Sequence, residues 1–312
     1  MNADLAASYE ALRNIYTNHA YSNLAAGEAI GHHPGCSGSF VRSAVKETLR
    51  QTFLLDHYVA ALSKNGLRGM KSRTLVLLRL GLRLLELETG IPDAVIVHEI
   101  VELARKKAQG SHGFVNAVLR SYLRERGSLR VPEGMSAEAL SVRYSVHTAL
   151  VRMILSQYGE TDGIRLMEAL NAPCEVGLRV NLLRGTREDV LRELSEAGVS
   201  AHLSGECETG LVLESGNVIG QDGFRNGRYS VQGIASQMAV EALSPEPGSR
   251  VLDLCAAPGG KTAAIAERME DRVSITACDL HEQRADLILK NAERLGLTSI
   301  HAECRDAAVP VP

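Results

Sequence analysis

The segment that most constrains the fold runs from Val251 to Thr262, where a short apolar strand passes through a glycine-rich turn into a helix. Small residues in such a turn let the backbone approach a ligand, and the free amides of the following helix point toward that ligand. Asp279 ends the next predicted strand, twenty residues after Gly259. A doubly wound fold places there an acid that binds ribose hydroxyls. We therefore predict a nucleotide-type cofactor site at this end of a parallel sheet.

After residue 248 the chain alternates between strand and helix patterns, which favours a parallel, right-handed α/β sheet. Strands are predicted at 251–254, 273–278 and 300–304, and helices at 262–269 and 284–295. A parallel sheet is normally covered on both faces, and two helices cannot cover both. We therefore expect residues 244–312 to form only the N-terminal, incomplete part of this domain.

The first part of the chain is predicted to be helical throughout. Leu75, Leu78, Leu82 and Leu85 recur at helical spacing, and Pro92 stands at the start of the next helix. Further helices are predicted at 5–26, at 40–62 and around the apolar stripe formed by Val115, Val118, Leu119 and Tyr122. Short connections between such helices predict a compact all-α bundle over residues 1–130.

Between these parts, residues 131–243 are predicted to form a small α+β domain. Its helices are expected at 137–143, 148–158, 187–197 and 235–243, and its strands at 176–183, 210–214 and 227–232. The fold class is therefore multidomain: an all-α bundle, a small α+β domain and the start of an α/β sheet of the Rossmann type.

The composition excludes several classes of protein. Hydrophobic residues make up 45% and charged residues 23% of the 312 residues, so the chain is not expected to be disordered. The N-terminus lacks the layout of a signal peptide, and no stretch approaches the length of an apolar membrane span. The six cysteines form no CxxC pair, which argues against a disulfide framework. We predict a reduced, cytoplasmic protein without a membrane partner.

Three ligands are considered for the turn at 253–262. A P-loop needs a glycine where Cys255 stands, although Gly260-Lys-Thr262 matches the second half of that motif. A nicotinamide site needs Gly-x-Gly-x-x-Gly, which the turn lacks. A methyl donor that carries adenosine and an amino-acid tail, S-adenosylmethionine, suits Asp253, the small residues and Asp279.

The motif Asp253-Leu-Cys-Ala-Ala-Pro-Gly-Gly-Lys-Thr262 resembles the cofactor motif of the RNA 5-methylcytosine methyltransferases of the Sun/Fmu (RsmB) group. The segments Tyr229-Ser-Val-Gln-Gly-Ile-Ala-Ser-Gln237 and Leu178-Arg-Val-Asn181 are similar to stretches that precede this motif in the family. The stretches 92–104 and 113–120 resemble the last helices of a NusB-type RNA-binding bundle, which is typical of the RsmB branch.

The resemblance implies that S-adenosylmethionine is the cofactor and that small-subunit rRNA is the substrate. It assigns the cofactor site to Cys255, Ala256, Ala257, Pro258, Gly259, Gly260, Lys261, Asp279, Arg284 and Asp306. In the family a cysteine thiolate adds to C6 of cytosine, so that C5 can take the methyl group. The two family cysteines lie in Asp-Ala-Pro-Cys and Thr-Cys-Ser segments that the 312 residues do not contain, so no catalytic residue is assigned here. Cys278 and Cys304 are predicted to be core residues of their strands.

The net charge is −3, yet residues 64–130 carry thirteen Lys and Arg against six Asp and Glu. This local surplus predicts contact with the RNA backbone, through Arg105, Lys106, Lys107, Arg120, Arg124 and Arg126. The spacing of Glu102 and Lys106 would also allow an ion pair between them.

Other functions are weighed beside the RNA methyltransferase. His32, His33 and Cys36 lie close together, but a structural zinc site needs four ligands, so no metal is expected. Two alternatives remain open from the sequence: a NusB-like RNA-binding adaptor without enzymatic activity, and a P-loop NTPase.

Overall fold

The computed structural model describes residues 2–87, 90–172 and 175–309. Two compact units make up the chain, residues 1–172 and residues 173–312. Cys174, one of the six cysteines, lies outside the described residues. The predicted architecture is confirmed, because a helical bundle is followed by a mixed α+β region and then by a parallel α/β sheet. None of the described helices is long and apolar enough to cross a membrane.

The first unit is helical, as the sequence predicts. Its described helices are α1 (Asn2–Asn18), α2 (Ser22–His32), α3 (Gly38–Arg50), α4 (Thr52–Ala61), α5 (Ser72–Glu86), α6 (Asp93–Lys107), α7 (His112–Glu125), α8 (Ala137–Tyr144) and α9 (Thr148–Asn171). Three predicted helices are wrong in length. The helix predicted at 148–158 continues across a kink at Gly159 to Asn171, because the chain resumes a helical path after this glycine. The segment 5–26 breaks at His19, which has a φ of 54°, and the segment 40–62 breaks at Gln51, where φ is −109° and ψ is 19°.

The leucine stripe of α5 lies in the centre of the bundle. Leu78, Leu82 and Leu85 are buried, whereas Leu75 is half-buried. Gly81 allows α7 to approach α5, since a Cβ at this position would lie 3.0 Å from the Leu119 side chain. The helical period in the sequence therefore identifies the buried face of this helix.

His32 and His33, considered above as metal ligands, both bind the carboxylate of Glu10. The distances are 2.7 Å for His32 Nδ1 and 2.9 Å for His33 Nε2. This hydrogen bond from His32 to Glu10 raises the pKa of His32. The pairs link the end of α2 to α1, and the described residues contain no group of three or more His, Cys, Asp or Glu that could hold a metal ion.

We expect the Glu10→Gln substitution to lower the pKa of His32 toward about 6.5, as measured by NMR titration of the imidazole signals. Because the folded pKa is raised, the contribution of this pair to stability is present below the unfolded pKa and is lost as the pH rises through the folded pKa. The control is Glu28→Gln, which should have a smaller effect because Glu28 acts on His32 only through space. An unchanged His32 pKa in Glu10→Gln would contradict the pairing.

The second unit contains two sheets. Its described elements are β1 (Val176–Val180), α10 (Arg187–Glu196), β2 (Ser200–Leu203), β3 (Gly210–Ser215), α11 (Asp222–Arg225), β4 (Tyr229–Val231), α12 (Ile234–Leu243), β5 (Arg250–Asp253), α13 (Gly260–Arg268), β6 (Ser274–Asp279), α14 (Glu282–Leu295) and β7 (Ile300–Cys304). An antiparallel sheet has the order β2-β3-β1-β4 and a parallel sheet the order β5-β6-β7. Strand β2 and helix α11 were not predicted, because each spans only four residues and so carries little apolar periodicity.

The parallel sheet places the carboxyl ends of its strands at one edge. Its register pairs Asp253 with Ala277 and Asp279 with Cys304. Beneath this edge, the core formed by the sheet and helices α13 and α14 includes Ile275 and Ile288, which are 0% and 1% exposed. Residues that follow the strands therefore meet at the edge where ligands bind in open α/β sheets.

Candidate cofactor site

Asp253, the last residue of β5, organises the turn that follows it. Its Oδ2 accepts a hydrogen bond from the Thr262 hydroxyl at 2.7 Å, and its Oδ1 accepts one from the backbone N–H of Cys255 at 3.3 Å. Both oxygens therefore contact the protein's own turn. Asp253 fixes the path of the chain between β5 and α13, which is a positioning role that the sequence did not distinguish from ligand binding.

Helix α13 begins at this turn with free backbone amides. Its N-cap is Gly259, which has a φ of 93° and no side chain to accept from those amides. A Cβ at Gly259 would lie 3.3 Å from the Ile288 backbone, so a glycine fits both the left-handed conformation and the close approach. The first intrahelical donor is Ala263, which leaves the earlier amides available to a carboxylate or another anion.

Asp279 is buried at the end of β6, with 7% of its surface exposed. Its Oδ1 accepts a hydrogen bond from Arg284 Nε at 2.9 Å, and its Oδ2 accepts one from the Ala257 N–H at 3.2 Å. Burial favours the protonated acid, but the contacts with Arg284 and Ala257 outweigh it, so the pKa of Asp279 is lowered. The group is a carboxylate at neutral pH, and each oxygen keeps a lone pair for a further donor.

Arg284 connects α14 to the turn. Besides its bond to Asp279, its Nη2 donates to the carbonyl oxygen of Ala257 at 3.2 Å. Arg284 therefore holds the acid and the turn together. The structure brings Asp279, Arg284 and the turn into direct contact, as the predicted site requires, and it gives Arg284 a positioning role.

The third strand contributes the other side of the site. The N–H of Arg305 donates to the Asp279 carbonyl at 2.9 Å, which keeps the chain after β7 beside the end of β6. Asp306 follows and is exposed, with Oδ1 accepting only from the Ala308 N–H, at 2.9 Å, among the described residues. Leu280, directly after Asp279, is 57% exposed. This apolar side chain was not among the predicted site residues, although its position directly after Asp279 in the sequence indicates that it lies at the site.

The turn itself presents a mixed surface. Among its predicted site residues, Cys255, Pro258 and Lys261 are exposed, Ala257 and Gly260 are half-buried, and Ala256 and Gly259 are buried. The peptide bond between Ala257 and Pro258 is cis. A thiol, a proline ring and a lysine side chain are therefore the exposed groups of the turn.

A buried arginine supports this turn from the antiparallel sheet. Arg179 in β1 is 2% exposed, and its Nε and Nη2 each donate to the Glu267 carboxylate of α13 at 2.8 Å. Its Nη1 donates to the Gly260 carbonyl at 2.7 Å and to the Gln232 side chain. The bidentate ion pair therefore fixes the C-terminal end of α13 against β1, and the bond to the Gly260 carbonyl fixes its start.

Polar residues of the two other family-like segments have the same role. Asn181 Nδ2 donates to the Gly227 carbonyl at 3.1 Å and to the Leu295 carbonyl at 3.4 Å. Gln237 Nε2 donates to the Leu178 carbonyl at 3.2 Å. The Asn181 side chain therefore joins the end of β1 to the end of α14, and the Gln237 side chain joins α12 to β1. The segments are recognisable from the sequence, but these contacts are not, because each joins residues that are distant along the chain.

Two hollows lie near the Arg179 contacts and the turn. The larger, of about 520 Å³, is lined by Arg179 and Glu267 and by no residue of 253–261. The smaller, of about 270 Å³, touches Asp253 and Lys261. Neither of these two hollows is lined by Asp279.

The cysteines differ in their environments. Cys278 is fully buried, and burial raises the pKa of its thiol, as the prediction of a core residue requires. Cys304 was also predicted to be a core residue, and this is wrong. It is exposed, with its thiol 3.4 Å from the Leu280 carbonyl, because it is the last residue of a strand at the edge of the described sheet.

The basic residues predicted to contact RNA lie on or just after α6 and α7. Arg105 pairs with Glu102 at 3.3 Å and Arg126 pairs with Asp93 at 3.3 Å. The predicted pair between Glu102 and Lys106 is therefore wrong, since Glu102 binds Arg105 instead. Other members of the set are placed as follows: Arg124 pairs with Glu125, Arg120 donates to Asn116, and Lys106 and Lys107 are exposed without an ion pair among the described residues.

Three family models match successive parts of the chain. Residues 6–124 match the NusB family, residues 148–219 match the ferredoxin-like domain of the RsmF/B-like methyltransferases, and residues 240–310 match the 16S rRNA methyltransferase RsmB/F. The last range contains all the residues of the candidate cofactor site.

Curated relatives match over most of the chain. The probable ribosomal RNA small subunit methyltransferase B of Bacillus subtilis is 34% identical over 305 residues, which are 96% of this chain and 67% of the relative. The ribosomal RNA small subunit methyltransferase B of Vibrio cholerae is 35% identical, over 84% of this chain and 59% of the relative. The chain therefore spans about three fifths to two thirds of the length of these relatives.

Solved structures share the fold. The crystal structure of PH0851 matches 98% of this chain and 70% of that chain with a TM-score of 0.75 and 22% identity. A methyltransferase homologue protein from Pyrococcus horikoshii matches 56% of this chain and 58% of that chain with a TM-score of 0.50 and 26% identity.

Proposed function

Because the chain belongs to the family of the ribosomal RNA small subunit methyltransferases B, we propose that it acts in S-adenosylmethionine-dependent methylation of cytosine C5 in small-subunit (16S) rRNA. The cofactor site comprises the turn Cys255–Lys261 with Asp279, Arg284 and Asp306. S-adenosylmethionine would supply the methyl group. The part of this chain is to bind the cofactor and the RNA.

The observation that carries the proposal is the arrangement around Asp279. A charged carboxylate, oriented by Arg284 and Ala257, lies at the same sheet edge as the free amides that begin α13. A ribose offers hydroxyl donors to the first group, and an amino-acid carboxylate suits the second. The exposed side chain of Leu280 offers an apolar surface for a base, and Asp306 offers an acceptor beside it.

The domain boundaries at 130 and 243 remain part of this proposal. We assign residues 1–130 to RNA binding, 131–243 to a small domain that supports the site, and 244–312 to the N-terminal part of the methyltransferase domain. The contacts of Arg179 with Glu267 and Gly260 support the role given to the middle segment. The compact units divide elsewhere, after Ala172, since α8 and α9 belong to the first unit.

Thr262 favours S-adenosylmethionine over a nucleoside triphosphate. In a P-loop the equivalent hydroxyl binds Mg²⁺, whereas the Thr262 hydroxyl here donates to Asp253 at 2.7 Å and the residue is fully buried. Cys255 also stands where the first P-loop glycine would be.

Calorimetric titration tests the cofactor directly. We expect S-adenosylmethionine and its demethylated product, S-adenosylhomocysteine, to compete for one site on the 312-residue chain, while ATP with Mg²⁺ gives no heat of binding. Binding of ATP that depends on Mg²⁺ would support the NTPase. Binding of RNA with neither cofactor would support the NusB-like adaptor.

We expect residues 1–312 alone to transfer no methyl group to cytosine, because they do not contain the Asp-Ala-Pro-Cys and Thr-Cys-Ser segments in which the resemblance places the catalytic cysteines. Cys207 and Cys278 are buried and burial raises the pKa of each thiol, whereas a reactive cysteine has a lowered pKa. Cys255 lies in the cofactor turn itself. The measurement is tritiated methyl transfer to unmodified small-subunit rRNA, with the longer Vibrio cholerae relative as the comparison. Labelling by the 312-residue chain at the relative's rate would contradict this expectation.

For the RNA partner we expect charge reversal on α6 and α7 to weaken binding. The variant Lys106→Glu/Arg120→Glu/Arg124→Glu should lower the affinity for a structured rRNA fragment. It should also reduce the slope of log K against log salt by roughly 0.7–0.9 for each phosphate that the variant no longer neutralises. Fluorescence anisotropy at several salt concentrations measures both quantities. A salt response that is flat, or equal in variant and wild type, would assign these residues to ordinary solvent-exposed helix ends.

A further inference from the structure

A cleft of about 410 Å³ lies in the first unit, between the loop that joins α4 to α5 and the loop that joins α6 to α7. Its lining includes three cationic residues, Lys64, Arg68 and Lys71, and no Asp or Glu. All three are exposed, and none forms an ion pair within the part of the chain that the structure describes. In the predicted set on α6 and α7, by contrast, Arg105, Arg124 and Arg126 each pair with an acid.

Two long helices begin at the wall of this cleft without a side-chain cap. The N-cap of α5 is Lys71 and that of α7 is Ser111, and neither side chain accepts from the helix amides. The Ser111 hydroxyl donates instead to the Ala108 carbonyl at 2.6 Å. The positive ends of two helix dipoles and their free amides are therefore adjacent to the cleft.

Ser63 supplies an independent sign of a missing ligand. This residue lines the cleft and is 9% exposed, and its hydroxyl has no hydrogen-bond partner among the described residues. Leaving a buried hydroxyl without a hydrogen-bond partner is unfavourable. An oxygen-bearing ligand in the cleft would satisfy it.

We propose that this cleft binds a phosphodiester group of single-stranded RNA. The group is an anion with several acceptor oxygens, which matches three cations, two helix N-termini and a free hydroxyl. Phe114, at the same wall, is 39% exposed and offers a ring against which a neighbouring base stacks. This inference rests on the proposed RNA substrate, and it assigns one contact point of that substrate.

The test compares two triple variants in binding a short fluorescein-labelled oligouridine by anisotropy. Lys64→Ala/Arg68→Ala/Lys71→Ala should weaken binding on the order of tenfold at moderate salt and reduce the salt slope. The matched control, Arg13→Ala/Arg42→Ala/Lys46→Ala, removes the same charge from exposed positions of α1 and α3 that do not line the cleft. Its affinity for oligouridine should stay within about twofold of the wild type, because the variant removes only long-range electrostatic attraction, which salt screens.

A second variant keeps the charge. Ser63→Ala should weaken oligouridine binding several-fold while leaving thermal stability unchanged or slightly raised, because it removes an unpaired buried hydroxyl. Amide NMR signals of Ser72, Arg73 and Gly113, at the two helix starts, should shift on titration with the oligouridine.

The outcomes separate this inference from the proposed function. If the wild type binds RNA and the cleft variants bind equally well, the cleft assignment is wrong and the RNA substrate stands. If inorganic phosphate shifts the amide signals while the wild type does not bind oligouridine, the cleft is a site for free phosphate and the RNA assignment is overturned.

Discussion

The Arg179→Met substitution is expected to lower the free energy of unfolding by about 3–5 kcal/mol. It leaves the carboxylate of Glu267, whose side chain is 5% exposed, buried without its bidentate partner. Burial already raises the pKa of Glu267 against the opposing effect of Arg179. Without Arg179 the pKa rises further, so the destabilisation should be largest at neutral pH and smaller in acid, where the carboxyl takes up a proton. Urea denaturation at two pH values measures this.

Two controls identify the buried charge as the cause. The double variant Arg179→Met/Glu267→Leu should recover much of the stability, because it removes both charges together. Arg268→Ala breaks an exposed ion pair, in which the Arg268 side chain is 31% exposed and the Glu208 side chain 74% exposed. This substitution should change the free energy of unfolding by only about 0–1 kcal/mol. A double variant as unstable as Arg179→Met would show that packing around Arg179, and not the unpaired acid, dominates.

The Asp279→Ala substitution is expected to weaken S-adenosylmethionine binding by roughly a hundredfold or more. The variant cannot accept the two hydrogen bonds from ribose hydroxyls, and a hydrogen bond to a charged group is worth about 1.5–3 kcal/mol. Isothermal titration calorimetry gives the change in Kd. The matched control is Asp286→Ala, an exposed acid on α14 outside the site, which should bind like the wild type.

The Asp279→Asn variant separates ligand contact from local folding. Its amide oxygen can still accept the Ala257 N–H, while the bond from Arg284 Nε and the charged acceptor are lost, so the turn keeps one of its two contacts with this residue. The pKa of Asp279 is lowered, so the group remains a carboxylate at and above about pH 4, the usual pKa of an aspartate. Its contribution to cofactor affinity is lost only as the pH falls through this lowered pKa. Wild-type affinity should accordingly be constant from pH 7 to about pH 5. Equal binding by wild type, Asp279→Ala and Asp279→Asn would refute the site.

The sequence was sufficient for the fold class and for the elements that carry a strong apolar period. Leu78 and Leu82 lie in the bundle core, and the strands at 251, 274 and 300 align in parallel, because burial of one helix face or of a whole strand imposes a pattern that local residues reveal. The pattern could not locate the breaks at His19 and Gln51, since both neighbouring helices keep the same apolar period. Short exposed elements such as β2 carry too few apolar residues to be predicted.

For the site, the sequence by itself determined the turn, the acid at Asp279 and their order along the chain, because these contacts follow from local strand–turn–helix geometry. Only the tertiary structure decided how that turn is supported. Arg179 reaches Glu267 across 88 positions of sequence, and an arginine in a strand pattern gives no sign that its charge is buried. The cleft lined by Ser63 likewise lies between two loops that are distant in sequence, the α4–α5 loop and the α6–α7 loop. Contacts of this kind form only when the elements pack together. The buried polar group lies on one element, and the partner that satisfies its hydrogen bonds lies on another.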